Sequence, residues 1–250
     1  MQRYFIDQQP DEDNRFFITG DDGHHITRVM RMKQDDQLIS VFSNELSAVC
    51  RIEKITEHGV QCVVEFFEDQ SPELPVKVTI AHGLPKGDKL ELVIQKATEL
   101  GAYSFLPFTA SRSIVKWEHK KGAKKVDRWS KIAKEAAEQS HRYHLPDVTA
   151  PVSFKELLTS ALSFDWIIVA YEEQAKQGER SLFARALSNV LAHQSILVVV
   201  GPEGGLSEKE VTQLQEVGAI SCGFGPRILR TETAPLYALA AISYHFELMG

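Results

Sequence analysis

The chain has few cysteines, no long apolar run and no overall excess of positive charge. Its three cysteines are scattered at Cys50, Cys62 and Cys222. Their odd number and wide spacing argue against a disulfide framework or a zinc site, and fit thiols kept reduced in the cytoplasm. No stretch approaches the roughly 18 apolar residues that a membrane span requires. We therefore expect a cytoplasmic protein that does not enter a membrane.

Histidine clusters with metal-ligand spacing are also lacking. The chain carries a His24–His25 pair and a His141/His144 pair, but no cysteine or acidic residue stands beside either at a spacing typical of metal sites. We expect no metal ion.

The net charge is negative, but one segment is strongly basic. The whole chain has 28 basic and 34 acidic residues, a formal charge of −6. Residues 112–134 hold nine Lys or Arg and two acids, a charge of +7, so the remainder carries −13. Such a segment either steers a phosphate chain towards the protein or is a solvated helix face. The sequence leaves both interpretations open.

The N-terminal part is predicted to be a small β-barrel domain spanning residues 1–72. Short apolar runs separated by Asn, Glu and Gly turns predict strands over 38–42, 47–52 and 60–66. A short helix is expected over 24–32. The two prolines in Gln70–Pro75 interrupt regular pairing and predict a linker.

Strands and helices alternate in the second predicted domain, residues 73–250. This alternation is typical of a mostly parallel sheet covered by helices on both faces. Ser207 and Glu210 form a Ser-x-x-Glu capping box at a helix start. The last helix, from about Ala234 to Leu248, is apolar almost all round, which suits either a subunit interface or a buried position. The predicted strands are 76–82, 103–108, 165–171, 195–200 and 219–224, and the predicted helices are 88–100, 126–141, 180–193, 207–217 and 234–248.

Two glycine-bearing turns follow apolar runs near the C-terminus. One is Gly201–Gly205, after Val198–Val200, and the other runs from Cys222 to Ala234. Ligands bind at the carboxyl edge of an open parallel sheet, and glycine allows backbone groups to approach a ligand closely. The alternative is that these glycines serve turn geometry alone.

The two turns do not match the common phosphate cradles. The first lacks the Gly-Lys-Ser/Thr ending of a P-loop, and Glu203 would repel a triphosphate. The second has Ile228 where a dinucleotide fingerprint has its third glycine, and it follows the last predicted strand rather than the first. The pattern favours a neutral or positively charged ligand.

These motifs together resemble the ribosomal RNA small-subunit methyltransferase E family. The resemblance spans nearly the whole chain. Its motifs are Arg28–Arg31, Lys96–Gly101, Ser111–Ser113, Glu135–Arg142, Gly201–Gly205 and Gly225–Ala234. It implies methylation of N3 of a uridine in 16S rRNA by S-adenosylmethionine. It also implies a homodimer, a PUA-like RNA-binding barrel at the N-terminus, and a SPOUT-type, mostly parallel α/β domain whose C-terminal chain forms a trefoil knot.

The resemblance further implies that three loops enclose S-adenosylmethionine in the knot. They begin near Ala170–Glu172, Gly201–Gly205 and Phe224–Ala234. The expected cofactor residues are Ala170, Tyr171, Val200, Gly201, Pro202, Glu203, Gly204, Gly205, Phe224, Gly225, Leu229, Arg230, Thr231, Thr233 and Ala234.

Methylation of uracil N3 requires loss of the N3 proton. A carboxylate could accept it, and Glu232 and Glu203 are the candidates. A cation could stabilise charge on the flanking carbonyl oxygens, and Arg230 is the first choice. The alternative is a structural Arg230–Glu232 ion pair.

Several polar residues are candidates for binding the RNA. Arginine suits bidentate phosphate recognition, although surface ion pairing is equally compatible with each residue. The candidates are Arg28, Arg31, Arg112, Ser113, Gln139 and Arg142. Ribose 2′-O methylation and a non-catalytic RNA-binding role remain competing interpretations.

Overall fold

The computed structural model describes residues 1–115, 117, 119–171 and 182–249, with the side chains of residues 119–121 left aside. The chain divides into two compact units. One comprises Met1–Glu73 with Ala137–Leu145, and the other comprises Leu74–Ala136 with Pro146–Gly250. The predicted helix start at Arg180 and the loop residue Glu172 lie outside the described residues.

The first unit is built on a five-stranded sheet with the strand order β1-β3-β4-β5-β2. β1 pairs in parallel with β3, and the other neighbours are antiparallel. One face buries a core that includes Tyr4, Phe16, Ile26 and Ile52. The elements are β1 (Arg3–Ile6), β2 (Arg15–Ile18), α1 (Gly20–His24), a π-helical turn (His25–Val29), β3 (Gln37–Phe42), β4 (Ser47–Thr56) and β5 (Gly59–Phe67).

The predicted strands of this unit are confirmed, and two further strands pair with them. β1 and β2 are only four residues long, and each joins a partner distant in sequence, so local periodicity did not predict them. The helix expected over 24–32 begins earlier, at Gly20.

The second unit is built on a parallel sheet with the order β12-β10-β11-β6-β7-β8, and β9 also pairs with β7. The α/β class expected from the sequence is confirmed. The elements are β6 (Lys77–Gly83), α2 (Lys89–Glu99), β7 (Ser104–Thr109), α3 (His119–Gln139), β8 (Asp147–Val148), β9 (Val152–Ser153), α4 (Phe154–Ala161), β10 (Trp166–Ala170), α5 (Leu182–Leu187), β11 (Ser195–Val200), α6 (Glu208–Glu216), β12 (Ile220–Cys222), α7 (Ala234–Ser243) and a π-helical turn (Tyr244–Leu248). The last three residues of α3 cluster with the first unit.

Helices cover both faces of this sheet. Successive side chains along a strand therefore point alternately into two cores. Ile196 and Val198 of β11 belong to the core under α2, α3, α5 and α7. Leu197 and Val199 belong to the core under α4 and α6. Burying each such aliphatic side chain contributes about 1.5–3 kcal/mol. Within the described residues, no helix is both long and apolar enough to cross a bilayer.

Two capping boxes determine where helices begin in this unit. The Ser207 side chain accepts from the Glu210 amide and the Glu210 carboxylate accepts from the Ser207 amide, so α6 starts directly after the Gly201–Gly205 turn. This prediction is confirmed. Ser153 and Glu156 form the same motif at α4. That helix was missed, although its Ser-x-x-Glu pattern was visible in the sequence.

Candidate functional site

A pocket of about 800 Å³ lies at the carboxyl edge of the parallel sheet. β12, β10 and β11 are neighbours, so the loops that follow Ala170, Val200 and Cys222 emerge side by side. The volume falls within the roughly 300–1,000 Å³ typical of small-molecule sites. Both glycine turns meet here, at the edge where the sequence placed them.

Most of the residues expected to bind a cofactor line this pocket. Gly225 and Thr233 are not among its lining residues; Gly225 adjoins the wall and Thr233 stands at the N-cap of α7. Of the RNA candidates, Arg112 lines the pocket. The expected residues that do line it are Ala170, Tyr171, Val200, Gly201, Pro202, Glu203, Gly204, Gly205, Phe224, Leu229, Arg230, Thr231, Glu232 and Ala234.

The wall also contains side chains that sequence reasoning missed. They are Lys89, Leu206, Glu208, Arg227 and Ile228. Lys89 begins α2 directly after the loop that follows β6. The strand pattern places this loop at the same sheet edge, but no local signal singled out Lys89.

The pocket carries charges of both signs, although Glu203 in the first glycine turn had favoured a neutral or positively charged ligand. Its lining includes four basic side chains, Lys89, Arg112, Arg227 and Arg230, and three acidic ones, Glu203, Glu208 and Glu232. Such a mixed wall can face a cationic group and a phosphate within the same cavity.

Gly201 is required by the close packing of its own loop. A Cβ at Gly201 would meet the Gly205 carbonyl carbon and the Leu206 nitrogen at 2.8 Å each. Gly205 adopts φ +67°, a left-handed conformation that glycine accepts without strain. Turn geometry therefore accounts for these two glycines, while their backbone still lines the pocket.

The buried His82 joins the strand-end loops behind the pocket. Its Nδ1 lies 2.7 Å from the Gly83 carbonyl oxygen, and its Nε2 lies 3.0 Å from that of Thr231. The Thr231 hydroxyl donates to the Gly201 carbonyl at 2.6 Å. Burial lowers the pKa of His82, although both carbonyl contacts oppose that effect. His82 and Thr231 thereby hold both glycine turns together.

Arg112 is held against the first glycine turn. Its Nη1 donates to the carbonyls of Gly204 at 3.1 Å and Leu206 at 3.3 Å. The preceding Ser111 donates its amide to Glu210 at 2.7 Å and its hydroxyl to the same carboxylate at 2.9 Å. Burial alone would raise the pKa of Glu210, but the hydrogen bonds from Ser111 and Ser207 lower it below its ordinary value. The α6 capping box therefore also positions Arg112.

Glu232 faces Lys89 rather than Arg230. The Lys89 Nζ lies 3.6 Å from Glu232 Oε2 and 2.9 Å from Glu203 Oε1. Arg230 is exposed at the pocket. The ion pair considered as an alternative, Arg230 with Glu232, does not occur in the described part of the chain.

The other RNA candidates are not among the residues that line this pocket. Arg28, Arg31 and Gln139 are exposed, and the Ser113 hydroxyl accepts from the Ala110 amide at 3.1 Å. Arg28 lines a separate cavity of about 540 Å³ in the first unit.

Arg142 is buried in an ion pair with Glu73. Its side chain is only 4% exposed, and its Nε donates to both oxygens of Glu73 at 2.9 Å. Glu73 also accepts from the amides of Tyr143 and His144. An arginine committed in this way is not presented to a phosphate, which speaks against the predicted RNA contact.

The two tryptophans near the basic segment are accounted for by packing. Trp129 is 5% exposed and stacks on Trp117, with ring centroids 5.6 Å apart. Along the same segment, exposed basic residues remain at Lys124, Lys125 and Lys131, and Arg128 pairs with Glu91 at 2.6 Å.

The chain matches two families of known protein domains. Residues 72–243 match the RNA methyltransferase domain family, and residues 18–65 match an RNA methyltransferase PUA domain. The fold and the strand-end pocket are thus those of an RNA methyltransferase with an N-terminal PUA-like unit.

The chain belongs to the ribosomal RNA small subunit methyltransferase E family. It is 53% identical to the Bacillus subtilis (strain 168) member over 100% of this chain and 98% of that protein. It is 30% identical to the Mycobacterium bovis member, over 96% and 90% respectively. The crystal structure of the Neisseria gonorrhoeae member, bound to S-adenosyl methionine, matches with a TM-score of 0.83 and 26% identity over 98% of both chains.

Proposed function

We propose that this chain transfers a methyl group from S-adenosylmethionine to N3 of one uridine in 16S rRNA. Its family membership, together with the strand-end pocket, carries the proposal. We place its action in the cytoplasm, where ribosomal RNA is made and assembled in bacteria.

The residues of the pocket suit this cofactor. The wall combines backbone of the glycine turns with the apolar side chains of Phe224 and Leu229, which suit an adenosine. The buried Glu232 Oε2 has no hydrogen-bond partner among the described residues, so a carboxylate oxygen is left for a bound group. When bound, S-adenosylmethionine supplies an electrophilic methyl group on a sulfonium.

The loops that begin at Ala170, Gly201 and Phe224 would hold the cofactor, with Gly225 and Thr233 supporting the third loop. A knotted C-terminal chain around this pocket is part of the proposal. Positioning the methyl group and N3 in line accounts for much of the rate of such a displacement.

The RNA is proposed to meet both the pocket and the first unit. We assign residues 1–72 as the RNA-binding domain and 73–250 as the methyltransferase domain. Arg28, Arg31 and Gln139 are exposed and suit contacts to the RNA backbone or bases, and Ser113 adjoins Arg112 at the pocket. Arg142 is not carried into this set, because its guanidinium is committed to Glu73.

A homodimer is also proposed. The C-terminal segment exposes Tyr244, Leu248 and Met249, which are 55%, 75% and 66% exposed. Exposed apolar residues grouped in one segment are typical of an interface. Sedimentation analysis should give twice the chain mass of 28.1 kDa, and a monomer at all concentrations would remove the dimer from the proposal.

The activity is tested with unmethylated 16S rRNA, offered both naked and in assembled small subunits. We expect the pure protein with S-adenosylmethionine to produce 3-methyluridine at a single site, detected by nucleoside mass spectrometry. A 2′-O-methyl nucleoside would indicate ribose chemistry instead. Absence of cofactor binding by calorimetry would indicate a non-catalytic RNA-binding protein.

A further inference from the structure

Lys89 stands between the two carboxylates of the pocket. It is the first residue of α2, and its Nζ lies 2.9 Å from Glu203 Oε1 and 3.6 Å from Glu232 Oε2. The Lys89 side chain is 35% exposed, and all three residues line the pocket. One ammonium therefore holds two acids from two different loops on one wall.

The two carboxylates differ in how many hydrogen bonds and ion pairs hold them in place. Glu203 Oε1 accepts from the Lys86 amide at 3.1 Å as well as from Lys89. Partial burial would raise the pKa of Glu203, but the hydrogen bond from Lys89 and the backbone hydrogen bonds lower it below its ordinary value. A carboxylate stabilised in this way is a weak proton acceptor.

The Glu232 side chain is less exposed than that of Glu203, and fewer contacts among the described residues hold it in place. Its side chain is 15% exposed, against 29% for Glu203. Its Oε2 is buried without a hydrogen-bond partner in the described part of the chain, and Lys89 stands just beyond hydrogen-bond distance. Lys89 therefore lies beside this oxygen at 3.6 Å and leaves it open to a bound group.

We propose that Glu232 accepts the N3 proton of the target uracil and that Lys89, anchored by Glu203, is the positioning residue that orients the Glu232 carboxylate. This inference rests on the proposed function and deepens it by separating the roles of the two acids. Arg230, two positions before Glu232 in the same loop and exposed at the pocket, stays available for the uracil carbonyl oxygens.

The step balances with these groups alone. The bond between N3 and the methyl carbon forms as the bond between that carbon and sulfur breaks, and the electron pair of the broken bond stays on sulfur. The N3 proton passes to the Glu232 carboxylate, which later releases it to solvent.

Four variants test the inference: Glu232→Gln, Glu203→Gln, Lys89→Met and Lys89→Arg. Each is compared with the native protein for S-adenosylmethionine affinity by calorimetry, and for kcat, KM and their pH dependence on unmethylated small subunits. Glu216→Gln, an exposed acid at the end of α6, is the control for loss of one negative charge.

We expect Glu232→Gln to lower kcat by about 100-fold or more, as loss of a general base does, while cofactor affinity changes less than about threefold. Raising the pH should restore part of its activity, because the uracil then ionises in solution. Glu203→Gln should lose less kcat than Glu232→Gln.

Lys89→Met should lower kcat while KM and S-adenosylmethionine affinity change little, because Glu232 loses the group that orients it. Lys89→Arg should recover part of kcat, since it keeps the charge but not the geometry. A loss confined to kcat and partly restored by Lys89→Arg is a result that mere loss of structure would not produce.

Three results would overturn the inference while the native protein still forms 3-methyluridine. They are equal losses in Glu232→Gln and Glu203→Gln, a loss of kcat in Lys89→Met that Lys89→Arg does not reduce, and a Glu232→Gln defect confined to cofactor affinity. If the native protein forms no 3-methyluridine, the proposed function itself fails.

Discussion

At the residue scale, the pocket assigns different tasks to residues that look alike in the sequence. Glu203 and Glu232 are both acids in loops after strands, but only Glu203 is hydrogen-bonded by Lys86 and Lys89. Arg112 and Arg142 were both phosphate candidates, yet one holds a glycine turn and the other is buried against Glu73. Partners from distant parts of the chain decide these roles.

Arg230 gives a direct test at this scale. We expect Arg230→Ala to lower kcat by about 100- to 1,000-fold, the usual effect of losing a group that stabilises charge in the transition state. Because Arg230 is exposed, the melting temperature should stay unchanged.

The matched control is Lys209→Ala, which removes an exposed positive charge from α6. Near-native turnover in Arg230→Ala would take this residue off the catalytic list. Equal losses in both variants would point to long-range charge instead.

At the scale of elements, helix α6 connects two walls of the pocket. Glu210 caps the helix and accepts from both the amide and the hydroxyl of Ser111. A single side chain thereby couples the start of a helix to the loop that presents Arg112.

Ser111→Ala should separate these two roles of Glu210. The capping box with Ser207 remains, so we expect a loss of only about 1 kcal/mol in the free energy of unfolding, typical of one hydrogen bond. S-adenosylmethionine affinity should fall modestly at the same time, because only the Ser111 amide then ties the loop of Arg112 to Glu210. Urea unfolding and calorimetry provide the two measurements.

Ser153→Ala is the control, since it weakens the capping box of α4, which contributes no residue to the pocket. It should reduce stability by about 1 kcal/mol and leave cofactor affinity unchanged. If Ser111→Ala also leaves affinity unchanged, the proposed coupling is absent.

At the scale of the whole molecule, acid should weaken the folded state in two steps. Burial lowers the pKa of His82 in the second unit. The pKa of Glu73 in the first unit is also lowered: burial would raise it, but the contacts with Arg142 and two amides outweigh burial.

Both folded-state pKa values lie below the unfolded ones, so both groups contribute stability that is lost as the pH falls. The His82 contribution declines below about pH 6.5 and the Glu73 contribution below about pH 4.3, the ordinary values of these side chains. Urea unfolding between about pH 7 and about pH 2.5 should show both declines. Glu73→Gln should remove the decline below pH 4.3. It should also lower the free energy of unfolding at pH 7 by about 3 kcal/mol, because Arg142 is left buried without its counter-ion. A decline below pH 4.3 that persists in Glu73→Gln would assign it to other carboxylates.

The sequence predicted the architecture where its signals were local. Strand β11 runs over Ser195–Val200 as expected, α6 begins after its predicted cap, and the two glycine turns line one pocket. Apolar periodicity and turn chemistry depend on neighbouring residues, so they can be recognised without tertiary structure. Helix α3 was predicted to begin at Val126, but it begins at His119. The prediction missed its first turns because they are rich in lysine and lack an apolar periodicity.

Only the tertiary structure decided which distant residues meet. Lys89 begins helix α2, Glu203 and Glu232 come from two separate loops, and His82 contacts Thr231 across 149 positions of the chain. A parallel sheet gathers such loops at one edge, and no local pattern encodes their contacts. The sequence by itself thus determined the family, the α/β class and the location of the pocket, while the packing of strand ends decided how each charged side chain in it is used.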